Sequence, residues 1–143
     1  MAKQLNIRVN EGRREVFDPV RKKYVTLTPE EYVRQQMIWY LIEDKSYPVG
    51  LLKVETALYL NGMTKRTDIL VCSRQGEPLL IVECKAESVP LTQAVFDQLA
   101  RYNMAFNVRY LVATNGISHY CCLLSHENST YTFLKEIPCY NDL

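Results

Sequence analysis

The unbroken apolar run Leu79-Leu80-Ile81-Val82, closed at once by Glu83-Cys84-Lys85, constrains this chain more than any other segment. It reads as a buried strand, and a buried strand that ends on a carboxylate and an ammonium needs a reason for both charges. Side chains alternate along a strand, so Glu83 and Lys85 share one face while Cys84 points away. A second apolar, β-branched stretch, Thr67 to Ser73, precedes it. Turn chemistry at Gln75-Gly76-Glu77-Pro78 folds the two into a hairpin, which brings Asp68 back beside Glu83. Two carboxylates held close in a partly buried place repel each other unless a cation sits between them. Hard oxygen donors suit Mg2+ or Mn2+, with the Cys84 carbonyl oxygen as a further ligand and water filling the remaining positions. Lys85 is then placed to orient or deprotonate an attacking water, or to balance charge developing on a phosphate.

The flanking segments fit an α/β unit. Thr28-Pro29-Glu30-Glu31 reads as a helix start, with Thr28 capping, Pro29 in the first position and Glu31 where a capping-box carboxylate sits. The helix runs to about Lys45 on a stripe of Val33, Met37, Tyr40 and Leu41, and Tyr47-Pro48-Val49-Gly50 stops it. Lys53 to Leu60 alternates as a strand and Asn61-Gly62 is a turn. Leu91 to Asn107 reads as a second helix with Val95, Leu99, Tyr102 and Phe106 on one stripe. Arg109 to Thr114, His119 to Leu124 and Tyr131 to Leu134 read as strands. A helix between the third and fourth of the principal strands implies a parallel pair there, hence a mixed sheet flanked by helices. Residues 1–27 are expected to form an N-terminal arm or hairpin, and residues 28–143 the single folded unit.

Composition narrows the class. The 143 residues are 48% apolar and 23% charged, as in a globular domain that buries a normal core. No apolar stretch reaches about 18 residues, so no membrane-spanning helix is expected. The N-terminus lacks the apolar core of a secretion signal, and the five cysteines have no CxxC spacing. Reduced thiols in a cytoplasm are the expectation, without a zinc site. Net charge is only +1, yet the first 25 residues carry seven basic side chains against three acidic ones. That excess reads either as a phosphate-binding surface or as a solvated strand face. Arg34, Arg66 and Arg101 are phosphate-contact candidates by charge, although Glu55 is also a natural pairing partner for Arg66. His119 and His126 stand in no nucleophile–base arrangement.

Residues 66–86, RTDILVCSRQGEPLLIVECKA, resemble the catalytic hairpin of PD-(D/E)xK nucleases. The resemblance extends from TPEEYVRQ through LVATNG and is closest to the N-terminal nuclease domain of type I restriction enzyme R subunits. Gln98 and Tyr102, four residues apart and so on one helical face, fit the QxxxY motif of RecB-type members. The resemblance implies a restriction endonuclease-like αβββαβ core, dependence on a divalent metal, and hydrolysis of DNA that leaves 5′-phosphate ends. It implies metal ligands at Asp68 and Glu83, with Lys85 assisting the water and Gln98 and Tyr102 supporting the site. A glutamate of the first helix completes the metal shell in many members. For Glu31 that role and the capping box both stand open, and Glu30 or Glu55 could take it instead. Thr67 replaces the family's proline. The 143 residues carry no helicase or ATPase motif, so motor-driven cleavage is not part of the expectation. DNA is the expected partner, with a second copy or a motor or specificity subunit beside it. The competing reading is a partner-dependent nucleic-acid-binding module of the same fold.

Overall fold

The computed structural model describes residues 4–143; Lys3, counted above in the basic excess, lies outside them. Three antiparallel strands come first: β1 (Ile7–Asn10), β2 (Arg13–Asp18) and β3 (Lys23–Thr26), in the order β1-β2-β3. Helix α1 (Pro29–Glu43) follows. Thr28 caps it by accepting from the Glu31 N–H at 3.0 Å, and Pro29 opens the first turn. β4 (Leu52–Val54) leads to a separate two-stranded ribbon, β5 (Ala57–Leu60) and β6 (Met63–Arg66). The hairpin β7 (Ile69–Cys72) and β8 (Pro78–Cys84), helix α2 (Gln93–Asn103), and strands β9 (Tyr110–Thr114), β10 (His119–Ser125) and β11 (Thr130–Leu134) complete the chain, with short 3-10 turns at Val49–Leu51 and Tyr140–Asp142.

The main sheet is mixed and six-stranded, in the order β11-β10-β9-β8-β7-β4. Its single parallel pair is β8 with β9, joined through α2, while its other pairs are antiparallel. Alternation sorts its side chains into two cores. Ile69, Val71, Leu80, Val82 and Cys84 pack with Val33, Met37, Ile38 and Leu41 of α1. Leu70, Ile81, Leu111 and Ala113 pack with Phe96 and Ala100 of α2. A sheet covered on both faces explains why β8 reads as an uninterrupted apolar run. Among the described residues, no helix is long and apolar enough to cross a membrane.

Three local expectations change. The strand expected over Lys53 to Leu60 is divided, because Glu55 adopts a left-handed backbone (φ 54°) and β5 turns away from β4. Asn61 and Gly62 make the expected turn, at φ 50° and 77°, but it closes β5 onto β6, a strand too polar to be recognised from its sequence. Helix α2 is shorter than Leu91–Asn107, and its buried face is Phe96, Ala100 and Asn103, rotated by one residue from the expected stripe. Phe96 sets that rotation by packing 5.2 Å from both Tyr120 and Phe133, ring to ring. Val95 and Leu99 flank this face, and Tyr102 is left 53% exposed.

A charged side chain docks the N-terminal sheet on α1. Asp18, fully buried, accepts from the Val20 and Arg21 N–H groups at 2.7 and 2.8 Å, from Arg21 Nε at 2.7 Å and from Gln35 Nε2 at 3.0 Å. Four donors would lose their acceptor together in Asp18→Ala. The substitution is expected to cost about 3 kcal/mol, the usual range for breaking a buried charge-assisted network. Urea denaturation checks this: a midpoint unchanged from wild type would mean that Asp18 does not hold the sheet in place.

Candidate active site

The β7–β8 register pairs Ile69 with Val82, Leu70 with Ile81 and Val71 with Leu80. Just beyond the last pair, Asp68 and Glu83 lie at the same end of the hairpin, near enough for the charge of Glu83 to act on Asp68. β7 has no strand residue left to receive the next β8 donor, and the Asp68 carboxylate receives it: Oδ2 accepts from the Cys84 N–H at 2.6 Å. The Asp68 carbonyl accepts from the Glu55 N–H at 3.2 Å, which ties the same residue to β4. Burial pushes the Asp68 carboxyl above its ordinary value, and the charges of Glu83 and Glu30 add to the rise. The Cys84 N–H and Arg34 oppose it.

Glu83 is nearly buried and forms an ion pair with the Lys65 ammonium of β6. Its Oε1 is fully shielded yet accepts no aligned hydrogen bond, so the contact is one of charge. The same ammonium lies 5.0 Å from the centre of the Tyr102 ring on α2. Lys85 comes directly after β8, half-buried, with its N–H donating to the Thr114 carbonyl at 2.9 Å. The Cys84 side chain points into the α1 core, where burial pushes its thiol well above the ordinary value. Only its backbone carbonyl could therefore serve a cation, not a thiolate.

Arg34 and Glu31 behave differently from their sequence reading. Arg34 is a buried guanidinium, not a solvated phosphate contact. Its Nε and Nη2 donate to the two Glu31 oxygens at 2.9 and 2.7 Å, and Nη2 also reaches Glu55 at 3.2 Å. Its Nη1 stands 3.8 Å from Asp68 Oδ1. Glu31 additionally accepts from Arg21 at 2.9 Å and Gln35 at 3.1 Å, so both its oxygens are committed. Its carboxylate does not close the capping box, although Thr28 caps its N–H. Glu30 is exposed, and its charge acts on Asp68. Glu55 pairs with Arg66 at 3.1 Å, as its neighbourhood in the sequence suggested. Gln98, Arg101 and Tyr102 all lie exposed on α2.

Lys65 is the residue that sequence reasoning missed. The signal existed in the Asn61-Gly62 turn, which marks a hairpin whose second strand must contain it. Among the described residues, no three histidine, cysteine, aspartate or glutamate side chains converge on one metal-sized site.

A mixed sheet covered by a helix on each face, with two acids and an amine at the end of its central strands, defines an α/β domain with a polar site at the sheet's edge. Over residues 29–138 the chain matches the family described as type I restriction enzyme R protein N terminus, and it belongs to that family. It is also similar in fold to a fragment assigned as an HsdR subunit of a type I restriction enzyme from Vibrio vulnificus YJ016, at 17% identity and a TM-score of 0.52. That similarity covers 82% of this chain and 24% of the other, so this chain spans about a quarter of its structural relative. No curated protein sequence matches it at a significant level.

Glu31 also makes the fold sensitive to acid. Burial alone would raise its carboxyl, but the bonds from Arg34, Arg21 and Gln35 hold it at about 2 against an ordinary 4.5. A depressed carboxyl stabilises the folded state above its unfolded value and loses that contribution as the pH falls through the folded one. Glu31→Gln should therefore be less stable than wild type by on the order of 3 kcal/mol at neutral pH. The gap should narrow as the pH drops from about 4.5 towards 2. Asp68 works in the opposite sense, since its raised carboxyl favours the folded state on protonation, and it is common to both proteins. Parallel urea melts across this range test the assignment, and a gap independent of pH would refute it.

Proposed function

We propose that this chain is a metal-dependent nuclease domain with the restriction endonuclease-like αβββαβ core, which hydrolyses phosphodiester bonds of DNA. The observation that carries the reading is the meeting of two acids at the end of the β7–β8 hairpin, where Asp68 accepts from the Cys84 N–H and feels the charge of Glu83, with Lys85 next after the strand. The donor set fits Mg2+, with Mn2+ as substitute. Two carboxylates suffice for an ion that keeps most of its positions for water and phosphate. Burial pushes the Asp68 carboxyl up and the charge of Glu83 adds to the rise, a balance that a bound cation would reverse. Asp68, Glu83 and the Cys84 carbonyl would hold the metal, whose chemistry is Lewis-acid polarisation of the phosphate and acidification of the attacking water.

The chain's own groups do the rest. Lys85 brings an ammonium to the reacting phosphate, where it holds the water or balances developing charge. The Asp68–Cys84 bond keeps the first carboxylate aimed at the strand end. Gln98, Tyr102 and Arg101 offer an exposed α2 edge to the DNA backbone, and Arg66 a second exposed cation. Glu31 serves through Arg34, as a positioning residue, because its oxygens are already taken. Glu30 is the better placed of the two first-turn acids to approach the site. Family membership supports a role beside motor or specificity subunits, and a double-strand break by one site per chain requires a second copy.

One observation favours a second reading, a partner-dependent DNA-binding module: Glu83 is already neutralised by Lys65. Incubation of purified protein with plasmid and Mg2+ separates the two. Cleavage is expected from wild type and its loss from Glu83→Ala; cleavage that survives the substitution would place the activity elsewhere. Salt-dependent DNA binding without cleavage by wild type would select the module.

Lys85→Ala is expected to slow cleavage by a factor of about 100 or more, the scale of a lost electrostatic or proton-transfer group, with Mn2+ binding retained. Calorimetry beside the cleavage assay checks both halves. Loss of Mn2+ binding in this variant would mean that Lys85 shapes the metal site instead of acting in the reaction.

A further inference from the structure

We propose that Lys65 is a resident counter-cation of Glu83 which a divalent metal must displace, so that Lys65 sets the affinity of the site for its metal. The inference deepens the metal-site reading above and rests on it. Lys65 comes from β6, outside the six-stranded sheet, and is only 6% exposed. Lysines are rarely buried without a partner, and this one has two: the Glu83 carboxylate and the face of the Tyr102 ring at 5.0 Å. The lysine at the motif position, Lys85, makes no ion pair with any described residue, so charge neutralisation of Glu83 falls to Lys65.

A divalent ion approaching the Glu83 carboxylate is repelled by an ammonium held on its Oε1, so the two cations compete for one group. Metal entry therefore requires the ammonium to withdraw, and the Tyr102 face offers it a second attachment on the same side. The ribbon that carries Lys65 is suited to such an adjustment. It has two strands only, closed at its base by Thr67 bonds to the Thr56 carbonyl at 2.7 and 2.9 Å, and it packs on the α2 core through Leu58 and Leu60. Tyr102 on this account is a cradle for the displaced ammonium, in addition to any contact it makes with DNA.

The test is calorimetric titration of Mn2+ into the full chain without DNA, for wild type, Lys65→Met and Lys65→Arg, each shown to be folded by circular dichroism. Removing the competing charge should tighten Mn2+ binding about tenfold in Lys65→Met, while Lys65→Arg should bind no tighter than wild type. A lysine with a merely structural role would weaken binding on removal, not strengthen it. Equal or weaker binding by a folded Lys65→Met overturns the proposal and leaves the metal site standing. No Mn2+ binding by wild type or either variant overturns the metal-site reading together with the proposal. Should Lys65→Met fail to fold, NMR of labelled lysine side chains in the wild-type chain decides. Saturating Mg2+ must shift the Lys65 resonance, and an unmoved resonance rejects the displacement.

Discussion

The antiparallel register of β7 against β8 governs what the end of the sheet can do. Ile69 faces Val82, and just beyond that pair Asp68 and Glu83 come together at the strand end. A slip of β8 by one residue would carry Leu80 and Val82 out of the α1 core and send Glu83 towards it. The apolar burial of both cores therefore enforces the same alignment that brings the two acids together. No separate device is needed to position them, apart from the Cys84 N–H that catches Asp68 where the strand stops.

Around these acids the protein keeps its buried charges in compensated groups. Asp18, Arg21, Glu31, Arg34, Gln35 and Glu55 form one chain of contacts that runs from the N-terminal sheet through α1 and comes within 3.8 Å of Asp68. Glu83 belongs to a second group with Lys65 on the opposite side of the sheet. Removing one partner from either group would leave a desolvated charge, which costs far more than the pair contributes. The first group couples the placement of the N-terminal sheet to the electrostatics of the strand end. The second makes the ribbon β5–β6 part of the site although it shares no strand with the main sheet.

Much of this was legible locally. The Thr28–Pro29 start of α1, the Asn61-Gly62 turn, the β7–β8 hairpin and the parallel partner of β8 across α2 all follow from short-range rules, and the structure has them. The side of α2 that is buried did not follow, because Val95-Phe96 and Leu99-Ala100 give two nearly equivalent apolar stripes. Ring packing on β10 and β11 chooses between them. The commitment of Glu31 was hidden for a similar reason. Arg34 is one turn away and could be suspected, but Arg21 arrives from a connection before β3 that nothing in the helix announces. Lys65 was hidden twice over, by the polar look of Met63–Arg66 and by a contact spanning eighteen positions of the chain.

By itself the sequence determined the strand that ends in Glu83-Cys84-Lys85, the hairpin that returns Asp68 to it, and the helix starts, because periodicity, turn chemistry and capping act over a few residues. The tertiary structure alone decided which cation each acid meets. Asp68 received a backbone N–H and the edge of Arg34, Glu83 received Lys65, and Glu31 was withdrawn into a buried network. Long side chains reach across several ångströms, so their partners depend on how separate elements pack, and that packing is set by burial summed over the whole domain.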